Sequence, residues 1–381
     1  MRLYLIRHGQ PVLPPGTRIC LGRRNLALSD KGRQAAAELG RTLKERKLFD
    51  KLWTSPLTRC RETAAAVVPE GVEPMVVPAF VEIDAGRWDG RSFEDLSRDP
   101  AEAPVFRQRG EDMVNVPFPG GESFQDVYHR AAPVFRELTA GCDADAAIVA
   151  HNGVDKALLS AATGKPLAEC LAIPQDYCGV HCLERQPDGL WRVVFLNRDA
   201  EMLAIDGICA GLFARYQTPA AVVAHGEAVA ETAMDLYARL KRAGTAGAID
   251  RHKLYFAARV HDIARVRGRD HPAIGAGWLA EDGYPEIGRI LVVHHDLPDA
   301  DRFRVSERTL LYLADKYVDG DQPVSLARRF AASQGKCLTA EGQAAHDRRQ
   351  AEAEAVEKLV REKMDGSSGL KIDKKQTMTD G

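Results

Sequence analysis

Arg7-His8-Gly9, Ser55-Pro56-Leu57-Thr58-Arg59 and Ala150-His151-Asn152-Gly153 each follow a short apolar run. In open α/β sheets, ligands bind beyond the carboxyl ends of the strands, so three such loops can converge on one site. They would deliver two guanidinium groups and two imidazoles, with no carboxylate of the kind that holds a metal. Guanidinium groups bind phosphate oxygens in pairs, which makes this combination an oxyanion pocket. A neutral imidazole is a competent nucleophile toward phosphorus, and phosphoryl transfer needs mainly positioning and charge stabilisation.

A second set of residues occupies the other half of the chain. His225, the adjacent pair His261-Asp262, His271, His294-His295 and Asp315 recur in an order that suits a metal. Imidazole with carboxylate fits borderline divalent ions such as Mn, Fe, Co, Ni or Zn. Side chains from several helices can build such a site in a bundle core. His129 and His181 lie outside both sets and read as ordinary helix-surface and strand residues. His252 and His346 read as solvated.

The elements that must position these groups differ between the halves. Leu3 to Ile6 is a short apolar run suited to a buried parallel strand whose end presents Arg7 and His8. Ser29 N-caps an expected helix over 30–47. Strands are expected at 52–54, 75–77 and 146–150, with helices over 57–68, 123–140 and from Val154. Residues 91–120 read as an irregular insertion, and 181–184 with 191–196 as a final hairpin. This alternation predicts an α/β domain over 1–198, with a mostly parallel sheet and helices on both faces. Beyond residue 199 strand signal almost vanishes. An all-α domain is expected over 199–340, from helices near 201–214, 218–242, 249–265, 271–282, 284–295 and 305–318. A C-terminal helix over 341–365 and a disordered tail over 366–381 complete the chain.

Composition narrows the partners. Net charge is -2, from 52 basic and 54 acidic residues, so the whole chain has no electrostatic reason to bind nucleic acid or an anionic membrane. Eight cysteines, with no CxxC pair among them, read as reduced thiols. Arg7 and His8 interrupt the N-terminal apolar run, so it is no signal peptide. No apolar stretch approaches the roughly 20 residues that cross a bilayer. A soluble cytoplasmic protein acting on a small phosphorylated metabolite or nucleotide is expected; the oligomeric state stays open.

Leu5-Ile6-Arg7-His8-Gly9 with the downstream Ser-Pro-Leu-Thr-Arg resembles the histidine phosphatase, or phosphoglycerate mutase-like, superfamily. The likeness extends to Leu28-Ser29-Asp30-Lys31-Gly32-Arg33-Gln34-Ala35, to Val81-Glu82-Ile83-Asp84 and to Gly120-Gly121-Glu122-Ser123. It implies that His8 is the nucleophile and that Arg7, Arg59 and His151 hold the phosphoryl group, with no cofactor. Glu82 would be the general acid, its pKa raised by burial or by carboxylates such as Asp84. The loop after Gly9 departs from the family pattern; Arg18, Arg23 and Asn25 there, with Asn152, are the candidate substrate contacts. The short span from Glu82 to Gly120 leans toward phosphatases, including the ribazole phosphatases and broad-specificity members, and away from mutases.

Val260-His261-Asp262-Ile263, with Val222-Val223-Ala224-His225, His271-Pro272-Ala273-Ile274 and Leu313-Ala314-Asp315-Lys316, resembles the HD-domain phosphohydrolases. That resemblance implies one metal on His225, His261, Asp262 and Asp315, and a second where His271 and His294 or His295 join. Ala264-Arg265 replaces the Gly-Lys that often follows the pair. The leading expectation is a bifunctional phosphohydrolase. The alternatives are a phosphatase regulated by a metal- and nucleotide-binding sensor domain, and a mutase.

Overall fold

The computed structural model of the chain describes residues 1–16, 18–335 and 339–365. The tail over 366–381 and Cys337 lie outside these residues. Contacts divide the chain into two units, Met1–Leu203 and Ala204–Gly381.

In the first unit Leu3, Tyr4, Leu5 and Ile6 are all buried within β1 (Arg2–Arg7). The elements that follow are α1 (Asp30–Arg46), β2 (Lys51–Thr54), α2 (Thr58–Val67), β3 (Met75–Val76), α3 (Phe93–Arg98) and α4 (Ala103–Glu111). After them come α5 (Phe124–Ala140), β4 (Ala146–Ala150), α6 (Asn152–Thr163), α7 (Leu167–Ala172), β5 (Val180–Arg185) and β6 (Trp191–Arg198). The strands form one sheet in the order β3-β2-β4-β1-β5-β6. β1, β2, β3 and β4 are parallel; β5 and β6 add an antiparallel hairpin beside β1. Successive strand residues point to opposite faces, so Leu3, Leu5 and Ile148 pack with α5 and α6 residues such as Val127, Phe135 and Leu158. Tyr4, Ile6, Ala147 and Val149 pack on the other face with Leu39, Leu43 and Ala64 from α1 and α2. The three layers match the fold class read from the alternation of apolar runs.

Local chemistry sets the helix starts. Ser29 accepts from Gly32 N at 3.1 Å, and Ser123 forms a capping box with Asp126. The stretch over 91–120 is more ordered than expected. Ser92 caps α3, and Phe106 and Phe118 pack on buried Trp88, so tertiary packing stabilises two short helices that carry little period of their own.

The second unit is helical: α8 (Ala200–Arg215, which crosses the unit boundary), α9 (Ala220–Arg242), α10 (Arg251–Val260), α11 (His271–Glu281), α12 (Pro285–Leu291) and α13 (Glu307–Lys316). A two-stranded ribbon of β7 (Val318–Asp319) and β8 (Gln322–Pro323) precedes α14 (Leu326–Gln334) and α15 (Ala340–Asp365). Two helices end earlier than the expected 265 and 295. Ile263 N bonds Val260 O and Arg265 N bonds Asp262 O, while His294 N bonds Leu291 O. These i→i+3 bonds tighten the chain into turns, and both turns carry histidines of the second set. His346 is buried, with Nε2 3.1 Å from Phe330 O, which corrects the expectation of a solvated ring. The seven cysteines among the described residues are buried and stand outside any disulfide. No helix among the described residues is long and apolar enough to cross a membrane.

Candidate active site and metal centre

Main-chain bonds beyond the strand ends carry the first set together. His8 N bonds Ala150 O, and Ser55 N bonds Val149 O, so the loops after β1 and β2 are both pinned to β4. His151 follows β4 directly and is the N-cap of α6, whose first residues are Asn152 and Gly153. The free N–H groups at a helix start attract anions.

Arg59 organises the centre. It is fully buried and donates from Nε to His8 Nε2 at 3.1 Å and from a terminal nitrogen to His151 Nδ1 at 3.2 Å. Its remaining donors reach Gly22 O and Arg24 O at 2.9 and 2.7 Å. A guanidinium only donates, so both imidazole nitrogens facing it are acceptors. His8 Nδ1 therefore donates to Gly9 O at 2.7 Å and His151 Nε2 donates to Ser55 Oγ at 2.7 Å. Burial, and then the charges of Arg59 and Arg7, hold the His8 imidazole well below the usual 6.5. Burial, and then His8 and Arg59, do the same to His151. Both rings are neutral, and the lone pair at His8 Nε2 is the one a phosphorus atom could meet.

Arg7 donates to Gln175 O at 2.6 Å and lies 4.0 Å from the centre of the Tyr177 ring. Its Nε is buried without a hydrogen-bond partner among the described residues. A buried donor of this kind fits an oxyanion site. Glu82 is buried, and burial pushes its carboxyl up from the ordinary 4.5. Its Oε1 lies 2.8 Å from where a Cβ on Gly153 would stand, so glycine there leaves the carboxyl its room beside the His151 loop. Burial is the largest cause of that shift, and Asp84 pairs with Arg23 at 3.3 Å. Arg23 also meets Glu122 at 3.0 Å and donates to the Glu82 carbonyl at 3.2 Å. Arg18 is exposed. Asn25 Oδ1 accepts from Thr58 N at 2.7 Å. Ser55 and Tyr177 are neighbours of the centre that sequence reading missed. Ser55 stood inside a quoted motif; Tyr177 had no motif to mark it.

The second set converges in the helical unit. His225 comes from α9, His261 and Asp262 from the turn after α10, His271 from the start of α11, His294 and His295 from the turn after α12, and Asp315 from α13. Four rings share one arrangement. Nδ1 of His225, His261, His271 and His294 lies 2.6–2.9 Å from the carbonyls of Gly320, Ala258, Gly268 and Leu291. Each Nδ1–H donates outward, and each Nε2 lone pair is left for the interior. There His225 Nε2 is 3.1 Å from Asp315 Oδ1, and His271 Nε2 is 2.7 Å from Asp262 Oδ1. His271 and His294 bring their Nε2 atoms to 3.3 Å of each other. His261 Nε2 and Asp262 Oδ1 are buried without hydrogen-bond partners among the described residues.

Converging lone pairs and carboxylate oxygens repel unless a cation lies among them, so this donor set fits a divalent ion. Two groups of possible ligands share Asp262: His225, His261 and Asp262, and Asp262, His271, His294 and His295. Arg265 Nη1 stands 3.4 Å from Nε2 of both His271 and His295. Because Asp262 belongs to both groups, Mn or Zn is expected to raise the thermal midpoint of the wild type and not that of Asp262→Ala. An equal rise in both proteins would show that the ion binds elsewhere.

Two family models match this chain: the histidine phosphatase superfamily (branch 1) over residues 3–199 and the HD domain over residues 222–320. A glucosyl-3-phosphoglycerate phosphatase of Mycolicibacterium vanbaalenii is 31% identical, over 44% of this chain and 76% of that protein. A 6-phosphofructo-2-kinase/fructose-2,6-bisphosphatase of Arabidopsis thaliana is 30% identical over 48% of this chain, which spans only 23% of its length. The solved alpha-ribazole phosphatase from Shigella flexneri is 25% identical with a TM-score of 0.47, covering 52% of this chain and 96% of that one. The chain belongs to the histidine phosphatase superfamily and carries an HD domain in its second half.

Proposed function

We propose that the protein is a bifunctional phosphohydrolase whose first unit hydrolyses phosphate monoesters through a phosphohistidine on His8. The observation that carries the reading is the neutral His8 ring, its Nδ1–H on Gly9 O and its Nε2 facing the buried Arg59. A phosphoryl group takes over the Arg59 contact with His8. As the bond from Nε2 to phosphorus forms, the bond to the leaving oxygen breaks, and Glu82 gives that oxygen its proton. Arg7, Arg59 and His151 meet the charge spread over the equatorial oxygens. Water then attacks phosphorus, the nitrogen bond breaks, and the Glu82 carboxylate takes a proton from the water. The relatives' names make phosphorylated sugars and glycerates the first substrates to assay.

The second unit is proposed to hydrolyse a phosphate ester or nucleotide with a divalent ion held by His225, His261, Asp262 and Asp315, joined by His271, His294 and His295. Such an ion supplies a lowered pKa for water and polarisation of a phosphoryl oxygen. The protein's part is to hold four imidazoles by their Nδ1–H groups and to keep both carboxylates ionised. A sensor role for this unit is the second reading, favoured by Arg265 standing against the cluster in place of the usual lysine.

In assays of phosphorylated metabolites with and without Mn, His8→Ala is expected to abolish the metal-independent activity and Asp262→Ala only the metal-dependent one. Metal-independent turnover that survives His8→Ala would remove the first reading. A nucleotide that binds the second unit, changes His8-dependent rates and is never hydrolysed would favour the sensor. The pH profile follows from the same groups. Activity falls on the acid side as His8 gains a proton, well below the ordinary imidazole range, and on the alkaline side as Glu82 loses its own, above the ordinary carboxyl range. Glu82→Gln is expected to erase the alkaline limb and to slow alkyl phosphates about 10²–10⁴-fold. Aryl phosphates, whose leaving group needs no proton, should slow far less; equal losses on both would deny Glu82 the acid role.

A further inference from the structure

Behind Arg7 lies a buried polar chain that the reaction leaves unused. The segment Gln175 to Gly179 wraps the arginine. The Gln175 carbonyl accepts from its guanidinium at 2.6 Å, the Tyr177 ring lies against it, and Arg7 N donates to Gly179 O at 3.1 Å. The Gln175 side chain, itself 6% exposed, ties this segment down. Its amide donates to Asp155 Oδ2 at 2.9 Å and reaches Gly179 O at 3.3 Å. Asp155 is fully buried in the first turn of α6, and its backbone N bonds His151 O. One helix thus carries both the phosphate-site histidine and the anchor of the segment that holds Arg7.

A buried carboxyl is costly, and an apolar residue would fill the same space with less penalty. Burial pushes the Asp155 carboxyl up to about 7, while its Oδ2 accepts the Gln175 hydrogen bond. We propose that Asp155 and Gln175 are positioning residues that fix the Arg7 guanidinium for the transferring phosphoryl group. This rests on the phosphatase reading of the first unit.

The test is calorimetric binding of inorganic phosphate to the full chain, paired with KM and kcat for a phosphate monoester. Asp155→Ala and Gln175→Ala are each expected to weaken phosphate binding and raise KM about tenfold or more. Asp155→Asn, which keeps an acceptor for Gln175, should recover most of the loss. In an Arg7→Ala background Asp155→Ala should add nothing, because the path to phosphate is already cut. Unchanged phosphate binding in both single variants, or losses that multiply with Arg7→Ala, would overturn the proposal. Should Asp155→Ala fail to fold, Gln175→Ala keeps the segment's carbonyl and decides alone. Wild-type protein that binds phosphate yet shows no His8-dependent turnover would sink the phosphatase reading instead, while the binding comparison still judges the positioning role.

Discussion

A single buried cation fixes the chemistry of the first unit. Arg59 has no access to solvent, so its nitrogens must find acceptors inside the protein. Two find the carbonyls of Gly22 and Arg24, which ties the loop after β1 to the start of α2. Two find imidazole nitrogens, and that choice sets both tautomers. His8 must place its proton on Nδ1, where Gly9 O takes it; His151 must place its proton on Nε2, where Ser55 takes it. The same positive charge disfavours a second proton on either ring. The tautomers of both rings and the geometry of the loops follow from where one guanidinium is buried.

The helical unit orients imidazoles by main-chain carbonyls instead. Four rings are turned by Nδ1–H bonds to carbonyls, and in three of them the carbonyl lies three residues before the histidine itself. The short turns after α10 and α12 therefore place His261, Asp262, His294 and His295 at the cluster and are not frayed helix. Carboxylates reach the same interior from two elements, and Asp262 serves both ligand groups. In each unit Nε2 of a ring whose Nδ1 is committed to the backbone faces the centre, at His8 as at His225, His261, His271 and His294.

Much of this was legible in the amino-acid order. Short apolar runs ending in polar residues marked β1, β2 and β4, because a parallel strand buried on both faces needs no polar residue until its end. The change from strand to helix signal near residue 199 marked where the architecture changes. Other features had no local signature. Helices α3, α7 and α14 are too short to show a period, and α3 is stabilised by Ser92 and by packing around Trp88. The turn that stops α10 at Val260 contains no Gly or Pro from His261 to Arg265, so no local breaker marks it. Asp155, Gln175 and Tyr177 surround Arg7 only because β4, α6 and the segment before β5 meet there, a consequence of sheet order that no window of sequence contains. The Glu82 carboxyl was expected to be raised by burial or by carboxylates such as Asp84; burial is the largest cause, and Asp84 pairs with Arg23.

The central claim is that His8 carries the phosphoryl group between substrate and water. Rapid quenching of the full chain during turnover of a phosphate monoester, followed by mass spectrometry of the peptide containing residues 1–18, tests it directly. The account predicts one added phosphoryl group on His8, stable to alkali and lost in acid as a phosphoramidate is, and absent in His8→Ala. Steady turnover with that peptide unmodified, or an acid-stable phosphate on another residue, would contradict it.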